Sequence, residues 1–125
     1  MLKSMLLVGA GSFVGGALRY LLSVLVKGSC GASFPWATLA VNLIGCFVIG
    51  VVYALFARYA STSHAMCLLL ATGLCGGFTT FSAFANEGLQ MLQSGSVGAF
   101  AAYLLASVAG GVALTAAGYC VIRIV

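Results

Sequence analysis

The sequence predicts an all-α membrane protein of four transmembrane helices, the third of them broken mid-membrane. Three observations predict it. Of the 125 residues, 63% are hydrophobic and only 5% charged, more apolar surface than a soluble domain encloses. Short polar stretches divide the chain into four apolar segments, at about residues 5–26, 35–59, 65–93 and 97–122. Each reaches the roughly 20 residues that a helical span needs. Within the third segment the run Gly73-Leu74-Cys75-Gly76-Gly77-Phe78-Thr79-Thr80-Phe81-Ser82-Ala83-Phe84-Ala85-Asn86-Glu87 sets glycines, hydroxyls, an amide and an acid where an uninterrupted apolar helix has no use for them. The four spans and their short connections make one transmembrane domain over residues 1–125. Four thin helices hardly enclose a selective path by themselves, so an oligomer is expected.

The formal charge of +4 rests on five basic residues spread along the chain, not on the clustered Lys and Arg of a nucleic-acid surface. Enzyme chemistry is the poorest fit, because one His and one acid assemble no nucleophile–base pair. The N-terminal segment is not expected to be a cleaved leader: Arg19 interrupts its apolar run and no small-residue cleavage site follows a short core. Cys46, Cys67, Cys75 and Cys120 lie in apolar stretches and Cys30 in a loop, with no CxxC among them. They read as small buried hydrophobes rather than metal ligands.

The first span is glycine-rich, and Gly11 and Gly15 form a GxxxG face for close helix approach. Arg19 lies one turn beyond Gly15 on the same side. It reads either as a side chain snorkelling to the interface or as an anion-attracting charge at a vestibule. A short polar loop follows from Lys27 to Phe34, and Pro35-Trp36 opens the second span. Thr38 and Asn42, four apart, with Gly45 three further on, give that span a polar stripe. Asn42 lies about two turns inside, as a hydrogen bond between helices, a donor to a permeating anion, or both. Arg58 and His64 flank a brief loop over residues 60–63, where His64 reads as solvated.

The third segment is longer than one crossing requires, and a break accounts for the surplus. Gly76-Gly77 weakens a helix by about 1 kcal/mol per residue against alanine. Thr79, Thr80 and Ser82 are residue types that cap a helix start. The expected course is a helix that stops near Cys75, a few residues of open backbone, and a restart near Thr80 or Phe81. Gly77 is the candidate for a φ > 0 conformation in that opening. Irregular backbone at membrane depth survives where protein, ions or water satisfy it, and transporters and channels place ion sites there. Along the fourth span Tyr103, Ser107, Gly111 and Thr115 recur every four residues over about 18 Å, as a packing seam or a pore lining. Lys3, Arg58 and Arg123 fall on one side of the membrane against Lys27 on the other. So small a bias allows both orientations, for which an antiparallel dimer is the natural assembly.

At Gly76-Gly77-Phe78-Thr79-Thr80-Phe81-Ser82-Ala83-Phe84 the chain resembles the Fluc (CrcB) family of fluoride channels, whose mark is a GGxTTFSTF-like run in a broken third helix. Gly16-Ala17-Leu18-Arg19-Tyr20, Thr38-Leu39-Ala40-Val41-Asn42-Leu43-Ile44-Gly45 and Glu87 extend the likeness in order along the whole chain. The resemblance implies an antiparallel, dual-topology homodimer with two pores, in a bacterial inner membrane, exporting fluoride passively. It implies that Phe81 and Phe84 line the fluoride path with Ser82 beside them, that Asn42 donates to the ion, and that Arg19 lies near an aqueous entrance. It further implies a structural sodium ion at the dimer centre, held by main-chain carbonyls of Gly76 and Thr79 from each subunit. Tyr103 and Ser107 match a polar track of the family. Gly111 stands where some members carry a further serine, and Ala83 replaces a threonine frequent between the two phenylalanines.

The residues fit that chemistry unaided. A phenyl ring has a positive edge, and Phe81 and Phe84, at i and i+3, share a helical face toward a small anion. Free carbonyls at the end of a half-helix favour a cation. Glu87 is either a proton-coupling carboxylate or, preferably, a structural or interfacial one. The competing function is a proton-coupled dual-topology exporter of the multidrug type. Such exporters need a carboxylate in the first helix, which here offers Arg19 and no acid. A non-transporting subunit would leave the phenylalanine pair and the break without a purpose.

Overall fold

In a computed structural model the described residues are predominantly helical. It describes residues 1–29, 33–59 and 63–124. The loop position of Cys30 and the turn at 60–62 lie outside the described residues. The helices are α1 (Leu2–Ser29), α2 (Trp36–Arg58), α3 (His64–Cys67), α4 (Gly76–Phe78), α5 (Phe81–Gln93) and α6 (Val97–Ile124), and a π-helical segment, Leu68–Cys75, joins α3 to α4. Four stretches are long and apolar enough to cross a membrane: Leu2–Gly28, Trp36–Arg58, His64–Gln93 and Val97–Ile124. The ends differ from the sequence reading mainly at α1, which carries Lys27 and Gly28 as helix rather than loop. Lys27 in that last turn complements the free carbonyls there.

The spans associate as two pairs. α1 packs on the π-helical segment and α4, and α2 packs along α6. Glycine makes both contacts close. A Cβ at Gly11 would run into the backbone of Leu69, Gly73 and Leu74, and one at Gly15 into Leu74 and Phe78. The GxxxG face of the first span therefore seats the third. On the other pair, Gly50 meets the Thr115 carbonyl and Gly118 the Phe47 carbonyl. Such backbone approach is how helices associate in lipid, where apolar burial gives no drive between them. Arg58 ties the far ends of the second pair, donating from Nη1 to the Ile122 carbonyl at 2.8 Å.

The fully buried set is small, led by Val41 and Tyr103 at 0% exposure. Phe13, Tyr20, Leu105 and Val112 lie open on the outside, as side chains facing acyl tails or a second protein do. Among the described residues Tyr103 centres a cluster of larger side chains, with Leu39 and Met91 buried around it and Phe34, Phe84 and Phe100 packed against them. That cluster holds α2, α5 and α6 together beside the interruption of the third span.

Candidate functional site

The interruption is two residues long. Thr79 (φ −78°, ψ 157°) and Thr80 (φ −148°, ψ 111°) are extended between α4 and α5. Helical winding thus persists to Phe78, three residues past the stop near Cys75 that the glycines suggest. What ends it there comes from another span. Asn42 Oδ1 accepts the Thr80 N–H at 2.8 Å, and Asn42 Nδ2 donates to the Thr80 carbonyl at 3.1 Å. One amide side chain of α2 so replaces both bonds that an unbroken helix would give Thr80. Thr80 then caps α5, its Oγ1 accepting the Ala83 N–H at 3.2 Å. Thr79 closes the other end: its N–H and its hydroxyl both donate to the Cys75 carbonyl at 3.0 Å. Gly45 leaves the space on α2 that the Thr79 methyl occupies.

These bonds leave two carbonyls without their usual donors. In a continuous helix Gly76 O would accept from Thr80 N–H and Thr79 O from Ala83 N–H. Both amides are diverted, one to Asn42 and one to the Thr80 hydroxyl. The two oxygens expected to hold a cation are therefore among the carbonyls at the interruption whose helical donors go elsewhere. Hard, neutral carbonyl oxygens suit an alkali cation. A Cβ at Gly76 would meet nothing, so this side of the segment is open.

Gly77 does not take the expected left-handed conformation. Among the described residues the positive-φ glycine is Gly95 (φ 76°), in the turn before α6. Gly77 is helical, and a Cβ on it would stand 2.6–3.0 Å from the Ser12 backbone. It is glycine because α1 passes against it, not because the chain turns there.

The predicted ring pair faces a chamber of about 370 Å³ between α2, α6 and the third span. Phe81 and Phe84 have centroids 5.7 Å apart at 40°. Phe84 also lies 4.9 Å from the Tyr103 ring, which fixes it in the cluster, whereas Phe81 is 79% exposed on a single chain. Asn42 and Ser107 line the same chamber. The Ser107 hydroxyl is fully buried and has no hydrogen-bond partner. Ser82 does not line the chamber: the residue is exposed, with its hydroxyl 3.4 Å from that of Thr80, which does. Arg19 is not brought to this group: it is half-buried on α1 and lines neither the chamber nor its neighbours.

Glu87 is more engaged than an interfacial acid. Thr38 Oγ1 donates to its Oε1 and Tyr103 Oη to its Oε2, each at 2.7 Å. The carboxylate joins α2, α5 and α6 at the foot of a second cavity of about 640 Å³, which opens past Gln90 and Lys27. A signal existed: a single acid in so apolar a chain must find donors. The two hydroxyls in the upper turns of the Thr38 and Tyr103 stripes are the natural supply. The fourth-span stripe itself divides. Tyr103 and Ser107 face the polar interior, Gly111 packs on Cys46, and the Thr115 hydroxyl turns back to the Gly111 carbonyl at 2.9 Å.

Four apolar spans, one of them interrupted and gripped by a half-buried amide beside an uncharged chamber, define a multi-pass membrane protein of the channel and transporter class. Comparison with known proteins narrows this. The family model described as "CrcB-like protein, Camphor Resistance (CrcB)" matches residues 6–119. A Leptospira interrogans protein named "Fluoride-specific ion channel FluC" is 46% identical over 121 residues, covering 97% of this chain and 95% of that one. Proteins of the same name from Phocaeicola vulgatus (46% over 111 residues, 89% and 91% covered) and Rhizobium leguminosarum bv. trifolii (45% over 118 residues, 94% and 94% covered) are similar throughout. The chain belongs to the CrcB family.

Proposed function

We propose that this chain is a fluoride channel of the bacterial inner membrane, working as an antiparallel, dual-topology homodimer. It lets fluoride leave the cytoplasm passively; HF enters through lipid and dissociates inside, so the membrane potential suffices to drive the anion out. The names of its relatives support the substrate. The observation that carries the reading for these residues is the chamber itself. There the uncommitted Ser107 hydroxyl and the Asn42 amide face a pair of phenyl rings, with no charged side chain among the lining residues.

That combination suits a small, strongly hydrated anion. Hydroxyl and amide donors replace its water, and the positive edges of Phe81 and Phe84 contribute without the trapping that a fixed cation would cause. Ser82 adds a hydroxyl beside Thr80, and Tyr103, held by Glu87, packs behind Phe84. The exposure of Phe81 on one chain supports a path shared between two copies, each ring contacting the other's lining. In the antiparallel pair the interruption of the third span lies mid-membrane, and Arg19 draws anions to an entrance. The carbonyls of Gly76 and Thr79 from both subunits hold a sodium ion at the dimer centre. When bound, that ion neutralises carbonyl charge that the broken helix leaves unmatched.

The test is anion efflux from liposomes containing the purified protein. Fluoride is expected to leave far faster than chloride. Equal rates would sink the fluoride reading and return the chain to a generic pore.

A further inference from the structure

The chamber beside the interruption is not closed. On the α2–α6 side it meets a groove of about 650 Å³ that runs down the face of α6. The two spaces share three lining residues, Cys46, Ser107 and Val108. Cys46 lies one turn beyond Asn42 on the same face of α2, and its thiol is free. Its sulfur is placed 3.2 Å from where a Cβ on Gly111 would stand, so it fills the volume that a side chain at 111 would take. The neighbouring polar group on α6 is the Ser107 hydroxyl, buried and without a partner. A buried hydroxyl left unbonded costs about 1–3 kcal/mol, a cost that a passing acceptor removes. Further down the groove the Thr115 hydroxyl is spent on its own helix.

From this we infer that Cys46 forms the wall of the anion path where the chamber opens into the α6 groove. Its S–H stands across from the Ser107 O–H as the donor on the α2 side. The inference rests on the channel reading above and adds to it a residue that bears on conduction. A thiol is a weaker donor than a hydroxyl, but it is larger and softer, so this neck is narrowed and chemically addressable at the same atom. The absence of a side chain at 111 is what admits the sulfur.

The experiment compares wild type with Cys46→Ala, which retains the other cysteines, before and after 2-aminoethyl methanethiosulfonate, in fluoride-efflux liposomes. The Cys46 thiolate attacks the sulfenyl sulfur; a disulfide forms, the S–SO2 bond breaks, methanesulfinate leaves with the electron pair, and the thiol proton goes to water. Mass spectrometry of the digested protein reads whether Cys46 carries the adduct. Expected results are adduct formation, a tenfold or greater fall of wild-type flux on treatment, no further fall in Cys46→Ala, and slower labelling in fluoride than in an equal concentration of gluconate. A second comparison, Cys46→Ser against untreated Cys46→Ala, tests the donor at nearly constant volume: the Ser variant is expected to conduct at least tenfold faster than the Ala variant. Unlabelled Cys46, labelled Cys46 with unchanged flux, or equal Ser and Ala fluxes would each overturn the assignment. Untreated wild type reads the channel function itself, so its failure to pass fluoride is distinguished from failure at Cys46.

Discussion

Asn42 holds Thr80 by both edges of its peptide unit, accepting the N–H at 2.8 Å and donating to the carbonyl at 3.1 Å across two different spans. The grip does two things at once. It satisfies extended backbone that lipid cannot, and it withdraws the amide that would have bonded Gly76 O. Asn42 is therefore a structural clamp first, and only its remaining amide hydrogen is available to an ion.

Replacement of Asn42 is expected to hurt stability as well as flux. Asn42→Leu leaves two half-buried backbone groups of Thr80 unpaired, at up to about 1–3 kcal/mol each. Asn42→Asp keeps the acceptor but turns an oxygen toward the Thr80 carbonyl and places a charge at the chamber wall. Both variants should lose at least tenfold in fluoride efflux, and both should unfold several degrees lower in detergent. Wild-type unfolding with lost flux would reduce Asn42 to an ion ligand without a clamping role.

The two phenylalanines are expected to part company on stability while agreeing on flux. Phe84 packs on Tyr103 at 4.9 Å, in contact with the buried cluster, whereas Phe81 is open on the single chain. Substitution by Ile preserves apolarity and removes the positive ring edge. Fluoride efflux should fall sharply in both Phe81→Ile and Phe84→Ile, with thermal unfolding lowered in Phe84→Ile alone. Unchanged efflux in the two variants would demote the rings to packing.

Gly76 and Gly77 are adjacent yet answer to different constraints. A methyl on Gly77 meets the Ser12 backbone, which has no flexible end to move aside. A methyl on Gly76 meets open space, and the residue already has helical φ and ψ (−63°, −38°). Gly77→Ala is expected to lose folded yield and lower the unfolding temperature; Gly76→Ala is expected to fold and unfold like wild type. Equal behaviour of the two in size-exclusion and thermal-melt profiles would contradict the close approach of α1.

Glu87 provides a coupling measurement. Thr38→Val and Tyr103→Phe each remove one hydroxyl from the same carboxylate. Loss of the first leaves the second to hold the half-buried carboxyl group alone, so the effects on unfolding free energy should not add. A double-mutant cycle is expected to give an interaction energy of about 0.5–3 kcal/mol. Strict additivity would mean that the two bonds do not share the acid.

How much of this was legible in the chain depends on how far apart the deciding residues lie. Four spans follow from hydropathy alone, because a bilayer admits few alternatives to a helix. The Gly11–Gly15 contact also followed, since small residues four apart have one main use there. Of the interruption, the restart at Phe81 after a Thr80 cap followed, but the stop did not. Gly76-Gly77 draws attention to its own position, but the winding ends at Thr79, where an amide 38 residues away competes for Thr80. No local propensity contains that competition. Gly77 misled for a related reason: a glycine needed for approach and a glycine needed for φ > 0 are the same letter. Glu87 was found but undervalued, because its partners Thr38 and Tyr103 sit on separate spans that only packing brings to it.

The hydroxyl of Thr80 bears on the proposed cation through a single amide. Thr80 Oγ1 takes the Ala83 N–H, and that capture keeps the amide from Thr79 O. In Thr80→Ala the amide has no side-chain partner, and the nearest unoccupied acceptor in the helical direction is that carbonyl. A Thr79 oxygen that accepts an N–H has less charge and less room for sodium. Thr80→Ser keeps the cap and is expected to keep the carbonyl free. The measurement is fluoride efflux from liposomes prepared without sodium, in a large organic cation, then titrated with sodium. Wild type and Thr80→Ser should recover at similar sodium concentrations, and Thr80→Ala should need at least tenfold more. Recovery curves that coincide for Ala and Ser would show that the cap does not govern the carbonyl. Efflux indifferent to sodium in all three would remove the cation from the site, leaving Gly76 O and Thr79 O to be satisfied by water.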